Sequence, residues 1–128
     1  MALDRFNEVL SYINLLQLVA GSGVTPQTSV INSTPPLRID SIILTSTAAI
    51  AHDVALYAHL GSGNYIIAVI SVPALSGSSA VPPVDLISAL PGAPGGIVVT
   101  PTVGLYLGCL VTLSGAETIN AVAIGGFL

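Results

Sequence analysis

Along much of the chain hydrophobic and polar positions alternate with the two-residue period of a strand that buries one face. The alternation is cleanest from Asp53 to Leu60, where Val54, Leu56, Ala58 and Leu60 share one side and Asp53, Ala55, Tyr57 and His59 the other. Gly61, Ser62, Gly63 and Asn64 follow, residues suited to the positive φ of a tight reversal, and Tyr65–Val72 returns rich in β-branched side chains. The pattern predicts an antiparallel hairpin. Leu37–Thr47 reads as a strand entering a core, since Leu37 and Ile39 alternate with Arg38 and Asp40 before the apolar run Ile42, Ile43, Leu44. From Val103 to Leu113 every odd position is apolar, which predicts one long strand, and Ile119–Ile124 predicts a last one after a turn at Ser114–Glu117.

Breakers separate these runs. Pro73 ends the returning strand, residues 74 to 83 form a Gly/Ser/Pro loop, and PGAPGG at 91 to 96 closes a short Val84–Leu90 segment that fits either a helical turn or a brief strand before Ile97–Thr100. The fold class predicted is all-β, an antiparallel sandwich or jelly-roll-like body of six to eight strands. Toward the N-terminus Leu3, Phe6, Leu10 and Ile13 fall at helical spacing, whereas Tyr12, Ile13 and Val19 favour a strand. Residues 1–36 therefore read as an N-terminal arm or short helix with its linker, and residues 37–128 as the sandwich body.

Composition changes this picture at the surface. A soluble chain of this length would carry about 32 charged residues; this one has Arg5, Arg38 and six acids, no lysine, and a mean hydropathy of +0.91. Too little charge remains to cover a lone body, so apolar area is expected to be covered by partner subunits. A net charge of −4 leaves no basic patch for phosphates, which argues against nucleic acid and against an anionic membrane surface. Prolines and glycines cut the uncharged runs into pieces shorter than a spanning helix of about 20 residues, and the aromatic residues are too few for the girdles of a membrane barrel. Asp4 and Glu8 stand where a secretory signal carries positive charge, so a cytoplasmic origin is expected.

The chemistry available is thin. His52 and Asp53 are neighbours on opposite strand faces, and His52 reads as a solvent-exposed residue ahead of a strand, with no cluster of metal ligands beside it. His59 shares a face with Tyr57 and reads as a surface residue. Cys109, the single cysteine, lies on the apolar parity of the long strand and reads as core. No serine sits in a nucleophile elbow, and the glycine clusters lack the lysine of a phosphate cradle. Neither an enzyme nor a cofactor is expected. Arg5 and Arg38 are read as pairing with carboxylates such as Asp40 or Glu8 across a subunit boundary, or as solvated charges.

Four stretches carry a resemblance: D-S-I-I-L-T-S-T from Asp40 to Thr47, I-S-V-P-A from Ile70 to Ala74, P-P-V-D-L from Pro82 to Leu86 and A-I-G-G-F-L from Ala123 to Leu128. With them the body resembles small jelly-roll-like or sandwich virion proteins of tailed bacteriophages that decorate or cement heads or line tail joints. The resemblance implies a capsid-surface building block made in the host cytoplasm. Its partners would be copies of itself, as a homotrimer, and the major capsid protein. Leu3, Arg5, Phe6, Leu10, Ile13 and Arg38 are the assembly-interface residues expected. The alternative is a receptor- or carbohydrate-binding sandwich of a fibre or tail, for which Tyr57, Tyr65 and Tyr106 are the aromatic candidates.

Overall fold

The computed structural model describes residues 11–30, 36–90 and 96–127. The Gly/Pro turn at 91–95 and residues Leu3, Arg5, Phe6 and Leu10 lie outside the described residues. Nine strands are described: β1 (Ser11–Val19), β2 (Gln27–Val30), β3 (Leu37–Ser46), β4 (His52–Leu60), β5 (Gly63–Val72), β6 (Val84–Asp85), β7 (Ile97–Val99), β8 (Val103–Cys109) and β9 (Thr118–Phe127). Every pairing between them is antiparallel.

Two open sheets face each other, one in the order β1-β9-β3-β6 with β7 also on β3, the other in the order β2-β8-β4-β5. β4 and β5 form the predicted hairpin, with Leu60 opposite Gly63 and the turn glycine Gly61 at φ 62°. Outward from that turn the pairs nest: β3 with β6 and β7, β2 with β8, β1 with β9. The described strands thus form one long hairpin rolled over itself, with additional β3–β9 and β4–β8 pairings joining the strands of each sheet. This is the jelly-roll topology.

The strand over residues 11–19 settles helix against extended chain at this end. Burial alternates without a break, Tyr12, Asn14, Leu16 and Leu18 turning inward and Ile13, Leu15, Gln17 and Val19 outward, so a two-residue period describes the segment better than a helical one. It also corrects the division into arm and body. β1 pairs with β9 along its full length and β2 pairs with β8, so residues 11–30 belong to the sandwich.

The core lies between the sheets. Leu18, Ile42, Leu44 and Ile119 from the first meet Val54, Leu56, Leu105 and Leu107 from the second, all but inaccessible to solvent. Each such side chain contributes about 1.5–3 kcal/mol on burial. In β3 both odd Leu37 and Ile39 and even Ile42 and Leu44 are buried, because a bulge at Asp40 puts two β3 steps against one on β9 and reverses the parity. β8 is shorter than the alternating run suggests: it stops at Cys109, Leu110 and Val111 are exposed, and Leu113 turns back into the core. Leu86 and Ile87, on a single 3-10 turn after β6, close one side, with Asp85 Oδ1 accepting from the Ile42 and Ile87 backbone N–H groups at 3.2 and 3.1 Å. Among the described residues no helix is long and apolar enough to cross a membrane.

Candidate assembly surfaces

Three surfaces stand out. The first is the outward face of the β1-β9-β3 sheet. Register aligns Ile13 with Ile124 and Ser41 in one row, Leu15 with Val122 and Ile43 in the next, and Gln17 with Asn120 and Thr45 in a third. Ile13 is 70% and Leu15 60% exposed, so large aliphatic side chains stand in water on an edge strand with no charge on it. Gln17 Nε2 donates to Asn120 Oδ1 at 3.0 Å, which ties β1 to β9 beneath the apolar rows.

Arg38 lies at the start of β3 near this face. Its Nε donates to Asp40 Oδ1 at 2.7 Å, and both side chains are about half exposed. The pair is therefore made two residues along the same strand. Exposed pairs of this kind are screened by solvent and add little to stability. Of the expected interface residues, Ile13 and Arg38 are the two described, and they sit apart, Ile13 on the edge strand β1 and Arg38 on the interior strand β3.

The second surface is the outward face of the β2-β8-β4-β5 sheet. Tyr57 and Tyr106 are cross-strand neighbours there, the His59 ring stacks on Tyr106 with centroids 4.7 Å apart, and His59 Nδ1 lies 2.7 Å from Asn64 Oδ1. Tyr65 stands apart from them, for its ring folds back over the turn at Gly63. β5 borders this face as an edge strand with Tyr65, Ile66, Ile67 and Val69 exposed, and a bulge at Ile67 interrupts its register with β4.

The third is the end of the sandwich where the loops 20–26, 47–51, 73–83 and 110–117 gather. Hydrogen bonds knit them: Thr47 N to Thr118 O at 2.9 Å, Leu75 N to Ala48 O at 2.9 Å, and Ser46 N to Ser76 O at 2.9 Å. Each loop carries an exposed aliphatic residue, Val24, Ile50, Leu75 and Val111. Leu75 is held at φ 55°, the left-handed region that branched, bulky residues avoid. Beside it an open depression of about 380 Å³ is lined by Thr45, Ser46, Thr47, Leu75, Ser76, Gly77 and Ser78.

His52 is buried at this end, which corrects its reading as a surface residue. The alternation that turns Val54 and Leu56 inward carries His52 inward with them, a signal present in the sequence. Its Nε2 lies 3.2 Å from Glu117 Oε1, outside hydrogen-bonding alignment. The same Oε1 accepts from the Ser114 backbone N–H at 2.9 Å and from the Ser114 hydroxyl at 3.1 Å. The Ser114 backbone N–H foremost, and the His52 ring beside the carboxylate next, hold the Glu117 carboxyl below the usual carboxylate range. Cys109 is buried as expected, and burial, with Glu117 nearby, pushes its thiol up, away from the reactive thiolate. Among the described residues no three His, Cys, Asp or Glu side chains converge on a metal-sized site.

Against known proteins, the chain matches no family model, no curated protein and no solved structure.

Proposed function

We propose that this chain is a structural virion protein, a capsid decoration or cement subunit that stabilises a particle by packing against copies of itself and a major capsid protein. The observation that carries this reading is the outward side of β1 and β9, two strands without a charged residue, with Ile13 and Leu15 standing in solvent. A lone soluble domain seldom leaves such rows uncovered, and a subunit in an assembly buries them. The jelly-roll topology supports the reading by analogy, since viral capsid domains use it often, as do lectins. Purified chain added to particles that lack it should co-sediment with them and raise the temperature at which they release their contents. A chain that neither sediments with particles nor changes that temperature overturns the proposal.

The Tyr57, His59, Tyr106 and Asn64 cluster favours a second reading, a fibre or tail domain that binds a carbohydrate receptor. Aromatic faces flanked by neutral hydrogen-bonding groups suit a sugar ring. A glycan array bound by the wild type and not by Tyr57→Ala supports it; an array with no bound glycan removes it.

A further inference from the structure

The strands at the sheet margins differ in how they are protected. An edge strand presents unpaired main-chain N–H and C=O groups, and proteins usually blunt it with charge, proline or a bulge. β5 carries the bulge at Ile67, and β6 and β7 are two and three residues long. β1 has none of these devices: nine residues, S-Y-I-N-L-L-Q-L-V, with no charge, no proline and an unbroken register against β9 from Ser11 to Val19. Among the described residues nothing pairs with its other side.

We infer that β1 is a self-association edge, pairing antiparallel with β1 of a second copy about a two-fold axis to join two β1-β9-β3-β6 sheets into one. The inference rests on the reading above that copies of this chain associate, and it names the strand and the partner. Three observations select that partner. Main-chain donors and acceptors spaced along a strand are satisfied by another strand and not by a helix face or a headgroup. Neither β1 nor the neighbouring rows of β9 and β3, from Ile124 to Asn120 and from Ser41 to Thr45, carries a charge, so two copies meet without like-charge repulsion while a charged partner finds no counter-ion.

The third is register. Centred on Asn14, the antiparallel pair sets Ile13 against the second copy's Leu15 on the outward face and Tyr12 against its Leu16 on the inward face, apolar on apolar on both sides of the sheet. The contact is isologous, so it closes at two copies, in contrast to the trimer that the phage resemblance implies.

The test is the mass of the isolated full chain in solution, taken with particle binding measured separately. Twice the chain's 12.8 kDa is expected for the wild type, and the single-chain mass for Ile13→Lys and for Leu15→Lys. Both sites are solvent-exposed, so the far-ultraviolet strand signal should be unchanged. Val111→Lys, an equally exposed residue on a distant loop, should keep the wild-type mass. Mixing Ile13→Cys chains with Leu15→Cys chains under mild oxidation should give a cross-linked pair that neither gives alone. A wild type that is monomeric or trimeric, or lysine variants that keep the wild-type mass, overturns the inference. A monomer that still occupies particles leaves the structural role standing, whereas a β1-paired dimer that ignores particles removes that role and keeps the edge contact.

Discussion

Glu117 sits where burial, backbone and histidine meet, and its ionisation bears on stability. Its folded pKa is lowered, chiefly by the Ser114 backbone N–H and then by His52, whereas the unfolded chain titrates near the ordinary value of about 4.3. A depressed carboxylate adds stability that is fully present above the unfolded pKa and is lost as pH falls through the folded one. Melting temperature followed from pH 6 to pH 2 should therefore drop below about pH 4, and Glu117→Gln should show a shallower drop from a lower starting point. Equal acid slopes in the two proteins would mean that this carboxylate contributes nothing. Leu75 offers a change of opposite sign. Its left-handed backbone costs a branched residue about 1 kcal/mol or more, so Leu75→Gly, allowing for the freer unfolded chain, should raise stability by about 0.5 kcal/mol in urea titrations. Cys109 was legible at this scale because parity alone placed it inward. The His52–Glu117 contact was not, since it joins residues 65 positions apart, one at the start of β4 and one in the loop before β9, that only the rolled topology brings together.

Elements were legible wherever a period and its breakers agreed. The β4–β5 hairpin appears with its turn at Gly61–Ser62, and Pro73 closes β5 as the missing N–H requires. β8 departs from its pattern because a strand can run only as far as its neighbour does. β4 begins at His52, the Leu110 N–H makes a last bond to Asp53 O at 3.2 Å, and the apolar residues beyond have no ladder to join. At Asp40 the sequence shows polar and apolar residues in an order that fits two opposite faces in turn, and only the bulge reconciles them. That bulge crowds the adjoining strand: a Cβ on Gly125 would overlap the Arg38 carbonyl oxygen. Gly125→Ala should accordingly cost about 1–3 kcal/mol, seen as a lower urea midpoint with unchanged slope. An unaffected midpoint would place the close approach elsewhere.

At the scale of the whole molecule, two open sheets and a single core account for how so few charges suffice inside, and the surface is where the shortage falls. The N-terminal segment reads as an appendage in the sequence because its apolar residues fit helical as well as strand spacing and its partner, β9, lies about 100 residues away. No local pattern announces such a partner. The nested pairing has a consequence for how the chain is made. Synthesis delivers β1 to β4 first, yet apart from the β4–β5 hairpin each has its partners further along the chain, and β1 waits for β9 to leave the ribosome. The first half therefore emerges as unpaired apolar strands with little charge to keep them apart, and productive folding is a race between completing translation and meeting another nascent chain.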